Sequence, residues 1–293
     1  MWEQEQVDEM SKNSGELLWV HYKLGHLSFT KISFMATVGL LDKRLSNCNV
    51  PKFAGCMYGK ASRCAWRVKG AVNQILKSKA PGEVVFIDQL TVSMPGLIRQ
   101  IRGFSSHAKY HYATVILDHF SDCPYIMMQK VLMGEETIRA KANYEGHVCR
   151  HGVIVKHNHT NNGIFTGGAF QEDVRAQRQT MSYCGVGVHH QNGHVEKLFR
   201  DLQDHGRTVL LHTQQRWLDA ISENIWPYAF ALCAEIRKWT PRSADGKIPY
   251  HLFCRTELEK NLLKTPAYFW MPCLCPRQEL TKCFQAKQVN ELK

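Results

Sequence analysis

Val84-Val85-Phe86-Ile87-Asp88 is the stretch on which the fold turns, four β-branched or aromatic apolar residues closed by a carboxylate. An unbroken apolar run of this kind predicts a strand buried on both faces, with its acid at the end. Downstream, residues 110–117 alternate aromatic and apolar side chains and predict a second strand. Residues 125–131 predict a third, joined to the second by a hairpin-like connection at 119–124. Residues 135–150 read as a helix, opened by Glu135 and Glu136 where negative charge favours a helix N-terminus. Short strands at 153–156 and 180–184 flank a helix around 169–178. Three strands followed by alternating helix and strand predict an α/β architecture with a mixed sheet flanked by helices.

A second acid stands far away in the chain. Glu196 follows Gln191-Asn192-Gly193 at the start of a segment that reads as a helix to about residue 212. Glu196, Arg200, Gln203 and Arg207 are spaced four, three and four residues apart, which places them on one helical face, with Lys197 beside them. Leu198, Leu202, Val209 and Leu210 occupy other faces and can pack inward. Strand and helix ends that bring Asp88 and Glu196 together would hold magnesium or manganese, which prefer oxygen ligands. Two such ions can clamp the attacking and leaving oxygens of a phosphodiester displacement. The residues alone leave a plainer alternative open, in which Asp88 caps a strand, Glu196 solvates a helix start and the arginines line a solvated face. The helix from Pro227 through Ala229, Leu232, Cys233 and Ile236 has the apolar spacing of a core element.

Several short pieces occur in a specific order: Leu18-Trp19-Val20-His21-Tyr22-Lys23-Leu24-Gly25-His26-Leu27-Ser28, Gly55-Cys56-Met57-Tyr58-Gly59-Lys60, Ile87-Asp88-Gln89-Leu90, Leu117-Asp118-His119-Phe120-Ser121, Asn162-Gly163 with Phe165, Gln191-Asn192-Gly193 with Glu196-Lys197, and Trp226-Pro227-Tyr228-Ala229. On these pieces the chain from about Leu17 to Phe253 resembles the polyprotein of copia-type LTR retrotransposons, specifically its pre-integrase zinc segment followed by the integrase core. The resemblance implies an RNase H-like mixed sheet flanked by helices, preceded by a small, mainly helical, zinc-finger-like segment. It divides the chain into a pre-integrase segment (1–70), a linker (71–80), an integrase core (81–255) and a truncated C-terminal extension (256–293). It also implies an aspartate-aspartate-glutamate triad, magnesium or manganese as cofactor, element ends and target DNA as partners, and action as a homo-oligomer.

Asp88 matches the first acid of that triad and Glu196 the last. The second falls in a His-x-Asp-Asn-Gly pattern, and here the segment reads His159-Thr160-Asn161-Asn162-Gly163, so Asn161 replaces the aspartate. A carboxylate offers a metal a full negative charge and two oxygens, whereas a carboxamide offers one neutral oxygen and an amide nitrogen that cannot ligate. Removal of one aimed electrostatic group typically costs about a hundred- to a thousandfold in rate. The expectation is therefore little or no strand transfer. Asp118 also ends a strand, but in the resemblance it holds a structural place beside a hairpin.

In the N-terminal segment, His21, His26 and Cys56 suggest part of a His-His-Cys-Cys zinc site, closed by imidazole and thiolate ligands. Phe53 stands where the resemblance has the first cysteine, which leaves Cys48 or Cys64 as the remaining candidates for a fourth ligand. The other reading, with His21 and His26 as polar residues on a helix bearing Trp19, Leu24 and Leu27, stays open.

The 293 residues are 44% hydrophobic, enough for one full core and a smaller module, and a net charge of +11 suits a polyanionic partner. There is no apolar run that would span a bilayer and no signal-peptide pattern at Met1-Trp2-Glu3. Eleven cysteines scattered from Cys48 to Cys283 do not make a compact disulfide framework, and the expected location is nucleus or cytoplasm. Cys123, Cys149, Cys184 and Cys233 are expected to pack as small hydrophobes. Two readings follow. One is an integrase-type strand-transfer domain impaired at Asn161. The other is a non-catalytic nucleic-acid-binding relic or recruited module, which the double departure at Asn161 and Phe53 favours.

Overall fold

The computed structural model describes residues 12–51, 53–60, 78–98, 107–184, 193–216 and 222–256. Cys64, Gln191-Asn192, the expected linker as far as residue 77 and the extension from 257 onward lie outside them. The described residues fall into two compact units, divided after Pro51.

The first unit holds helices α1 (Lys12–Lys23) and α2 (Phe29–Thr37) and a single 3-10 turn at Lys43–Leu45. The Ser28 side chain accepts from the Lys31 backbone N–H and starts α2, as an N-cap serine should. Gly25 and His26 both take positive φ between the helices, so the chain reverses within a few residues. Leu17, Val20, Leu24, Ile32, Met35, Ala36 and Leu45 form its core.

In the second unit, α3 (Ala54–Gly59) comes first in the chain. Five strands follow, β1 (Val85–Leu97), β2 (Lys109–Asp118), β3 (Pro124–Gln129), β4 (His157–Thr160) and β5 (Thr180–Tyr183). The helices among and after them are α4 (Gly134–Cys149), α5 (Gly168–Ala176), α6 (Gly193–Arg216), α7 (Trp226–Trp239) and α8 (Pro249–Cys254). The sheet order is β3-β2-β1-β4-β5. β1, β2 and β3 pair antiparallel, whereas β4 pairs parallel with both β1 and β5. Three antiparallel strands extended by two parallel ones, with helices in the crossovers, make an RNase H-like mixed sheet.

The sheet period of two sorts the residues by face. Val85 and Ile87 join Ile116, Tyr144, Val148, Phe165, Phe170 and Val174 in the main core, with Met181 and Tyr183 packed against it. Phe86, Asp88, His157, His159, Thr180 and Ser182 therefore share the opposite face. Lys141 is fully buried between α4 and α5, where it bridges Glu145 and Asp173 at 2.7 Å each.

Two expectations need correction. The fourth strand does not lie at 153–156 but in the next four residues. Val153 and Val155 enter the core as non-strand backbone and Ile154 is 74% exposed, because pairing with β1 begins only where Asn158 meets Val85. Second, Asp88 does not end its strand. β1 runs on through a register shift between Thr91 and Gly96 and docks on α7, where the Trp226 indole N–H donates to the Met94 carbonyl at 2.9 Å. What ends near Asp88 is the parallel pairing, whose last pair is Ile87 with Thr160.

Candidate active site

Register alone brings three residues into a row. Ile87 pairs with Thr160 and Thr160 with Tyr183, so the next residues along the three parallel strands are Asp88, Asn161 and Cys184. The Cys184 N–H donates to the Thr160 carbonyl at 2.9 Å and continues the ladder one step.

Asn161 contacts Asp88 directly. Its Nδ2 donates to Asp88 Oδ1 at 2.6 Å, and the same oxygen accepts from the Gln89 N–H at 2.8 Å. The amide orientation is fixed from its other end, because the Gly163 N–H can only donate and lies 3.4 Å from Asn161 Oδ1. Asn161 therefore turns its donor toward the carboxylate and its oxygen away. A two-ion magnesium site needs oxygens converging at this point. The residues present do not fit one, since Asn161 turns an N–H rather than an oxygen toward Asp88.

Glu196 lies in the first turn of α6, half-buried. Its neighbourhood is visible through Cys184, whose thiol is pushed up by burial first and then by the negative charges of Asp88 and Glu196. Along α6, Val195, Leu198, Leu202 and Val209 are buried, Leu210 is half-buried, and Lys197, Arg200, Gln203 and Arg207 are exposed. α6 thus presents exposed cationic groups of the kind that meet phosphates when a protein holds a nucleic-acid backbone.

Sequence reasoning missed a set of histidines on this face. The Phe86 ring is surrounded by His119, His159 and His194 with ring centroids 5.1 to 5.3 Å away. His159 Nε2 stands 3.5 Å from Cys184 Sγ. The period-two placement of Phe86, His157 and His159 could have revealed them, given the register. Cys184 is buried as expected, yet against imidazole rather than apolar packing. Cys123 and Cys233 are buried with thiols pushed up by desolvation, whereas Cys149, at the end of α4, is exposed and corrects the expectation for that residue.

Asp118 is built differently from Asp88. It is fully buried and accepts from the Gly82 N–H at 2.7 Å and from the Ser121 N–H and hydroxyl at 2.8 and 2.6 Å. Its oxygens tie down the turn after β2.

In the first unit, His21 and His26 are buried together, with His26 Nδ1 3.1 Å from His21 Nε2. His21 Nδ1 lies 2.7 Å from the Leu27 carbonyl, which can only accept, so the proton is on Nδ1 and the lone pair on Nε2. Two nitrogens about 2.0–2.1 Å from one tetrahedral ion stand about 3.3–3.4 Å apart, and a backbone carbonyl on the far nitrogen is the usual support of a metal-bound imidazole. The pair thus fits zinc ligation. Cys56 belongs to the second unit, half-buried on α3, where burial pushes its thiol up. Phe53 is buried edge-on against His212 of α6 at 5.2 Å, and Gly59 approaches Thr208 so closely that a Cβ would lie 2.3 Å from its Oγ1. The residue that stands in the place of a cysteine thus anchors α3 to α6. Cys48, a candidate fourth ligand, donates to the Arg44 carbonyl at 2.9 Å.

No family model matches this chain, and no curated protein does. Among solved structures, the chain is similar to a component of the simian T-cell lymphotropic virus intasome in complex with PP2A regulatory subunit B56 gamma, at 15% identity and a TM-score of 0.49, over 67% of this chain. The match spans 62% of the length of that protein. It is also similar to the HTLV-2 integrase catalytic core domain in complex with magnesium, at 18% identity and a TM-score of 0.39, over 60% of this chain and 98% of that one. The catalytic core domain of BIV integrase matches at 15% identity and a TM-score of 0.41, over 59% and 95%.

Proposed function

We propose that this chain is an integrase-type DNA-binding domain of copia-type retrotransposon descent, with Asp88, Asn161 and Glu196 at the three triad positions and strand transfer silenced in this copy. The observation that carries the reading is the 2.6 Å contact from Asn161 Nδ2 to Asp88 Oδ1. In this reading the second triad position lies against the first, with an amide where magnesium or manganese would need a negative charge. DNA is held by Lys197, Arg200, Gln203 and Arg207 on the exposed face of α6, which meet phosphates while Glu196 faces the row. Zinc is held in the N-terminal segment by His21 and His26 and contributes folding energy there. The protein acts as a homo-oligomer on element ends and target DNA, in nucleus or cytoplasm.

The test is the Asn161→Asp reversion beside the parent, assayed for magnesium-dependent end processing and for DNA binding. The reading expects DNA binding by both and turnover by the revertant alone. Turnover by the parent that disappears in Glu196→Gln overturns the silencing. Failure of both proteins to bind DNA overturns the assignment itself. Binding by both without turnover by the revertant selects the second reading, a recruited DNA-binding module, which the buried Phe53 anchor in place of a cysteine favours.

A further inference from the structure

Asn162 and Gly163 form an exposed bend between β4 and the 3-10 turn at Ile164–Thr166. Among the described residues, every other asparagine is followed by a residue that carries a side chain. That difference matters chemically. The backbone nitrogen after an asparagine can close a five-membered ring on the side-chain Cγ, and a side chain on the following residue is what ordinarily hinders its approach. Glycine has none, and it gives the backbone the freedom that ring closure needs.

The surroundings leave the approach open. Among the described residues, and chain neighbours apart, a Cβ built on Gly163 would meet nothing within 4 Å except Asn161 Oδ1 at 3.5 Å. The Gly163 N–H donates to that same oxygen at 3.4 Å, a long bond that holds the nitrogen weakly. The Asn162 amide, by contrast, is tied. Its Nδ2 donates to the Cys184 carbonyl at 2.9 Å, just past the last β4–β5 pair, Thr160 with Tyr183. Ring closure therefore waits on the opening of that bond, a low-cost event in an exposed loop.

We propose that Asn162 is a site of spontaneous deamidation, and that its conversion unfastens the loop which aims Asn161 at Asp88. The Gly163 nitrogen gives its proton to hydroxide and attacks Asn162 Cγ. As the new C–N bond closes a succinimide, the Cγ–Nδ2 bond breaks and the nitrogen leaves as ammonia, protonated by water. Water then opens the ring at the side-chain carbonyl to give aspartate, or at the backbone carbonyl to give isoaspartate. In sum an amide and a water become a carboxylate and ammonium, and nothing is oxidised or reduced.

The product cannot keep the tie. A carboxylate only accepts and so does the Cys184 carbonyl, so two oxygens repel where the amide had bonded. Isoaspartate also lengthens the backbone by a methylene between residues 162 and 163. Asn161, whose oxygen accepts from the Gly163 N–H and whose nitrogen reaches Asp88, then loses the anchor on its C-terminal side. The chemistry depends on the bend alone, and only its bearing on a triad rests on the function proposed above.

The experiment incubates the full chain at mildly alkaline pH and maps its peptides by mass and by isoaspartate-specific enzymatic methylation. Conversion at Asn162 should outpace that at every other described asparagine and rise in proportion to hydroxide. It should be slower than in a free peptide of residues 158–166, which lacks the tie to Cys184. The peptide carrying Asn192-Gly193 is scored separately. Conversion of Asn162 no faster than that of asparagines followed by bulky residues overturns the site, and conversion as fast as in the free peptide overturns the protective tie. In fresh Asn162→Asp, hydrogen exchange at residues 180–184 should be about tenfold faster than in the parent, with far-ultraviolet dichroism unchanged. Aged parent chain, separated from the unconverted form by ion exchange, should show the same acceleration. Unchanged exchange in both overturns the unfastening. DNA binding by the unconverted chain reports separately on the proposed function.

Discussion

Asp88 and Asp118 lie on neighbouring strands, Asp118 opposite Val85 and Asp88 opposite Val115, yet their partners differ in kind. Asp118 is saturated by donors from the turns on either side of β1 and β2, the Gly82 N–H and the Ser121 N–H and hydroxyl, and is completely buried. Asp88 is 9% exposed, meets a side chain from another strand, and has Glu196 acting on a shared neighbour. The contrast teaches that the identity of a strand acid says little until its donors are known. Donors supplied by turn segments, two of the three here being backbone N–H groups, mark a fastening. Side chains converging from separate elements mark a place where a ligand can be held.

The largest way to break this contrast is Gly82→Ala. Gly82 has φ +79, and a Cβ there would lie 2.4 Å from the Ile154 carbonyl oxygen. Strain and overlap together should cost about 3 kcal/mol or more in urea denaturation. A loss under about 1 kcal/mol would show that the Asp118 turn fastens nothing.

Next is Asp118→Asn, which sets an amide N–H2 against either the Gly82 N–H or the Ser121 N–H and should cost about 2–3 kcal/mol. Asp88→Asn should cost less than about 1 kcal/mol, since a carbonyl there still accepts from Asn161 and Gln89. Equal losses would erase the distinction. The pH dependence sharpens it further. Burial outweighs three donors and raises the Asp118 carboxyl above its ordinary 3.8, so in that window the folded chain holds more protons than the unfolded one. Stability from this group therefore falls as pH rises from 3.8 through the folded value and is level above it. Asp118→Asn should flatten that part of a stability profile.

An effect comparable to that of Asp118→Asn is expected from Asn161→Asp without metal. It replaces a charge-assisted hydrogen bond by two facing carboxylates, so stability should drop by about 1.5–3 kcal/mol, with millimolar magnesium restoring part of it. Thermal unfolding with and without the ion reads this, and a metal-independent drop would argue against a shared cation position. The smallest effect on stability belongs to Arg200→Gln and Arg207→Gln, within about 0.5 kcal/mol of the parent because both are exposed. Each should instead make the log–log salt dependence of DNA affinity shallower by about 1. An unchanged slope would remove that arginine from the interface.

Most of the sheet was legible because its signals are local. The apolar run at Val85 to Ile87, the alternation in β2 and the amphipathic face of α6 each follow from neighbours in sequence. The fourth strand was misplaced for the same reason: β-branched Val153, Ile154 and Val155 look like a strand, whereas polar His157 to Thr160 form it because β1 and β5 offer ladders on both sides. Asn161 could be singled out by pattern. That its amide touches Asp88 could not, since the two are 73 residues apart. Cys184 reads from sequence only as a packing cysteine, and the histidines around Phe86 not at all, because their meaning depends on which residues lie across the strands.

The sequence by itself determined most of the strands and helices, the two separated acids, the asparagine between them and the basic stripe, because side-chain type and periodicity act over one or two turns of chain. Only the tertiary structure decided that Asp88, Asn161 and Cys184 form one row, that Asp118 is a fastening, and that His159 lies against the Cys184 thiol. Those outcomes depend on strand register and on the direction of hydrogen bonds between distant residues, and neither is encoded in any one segment.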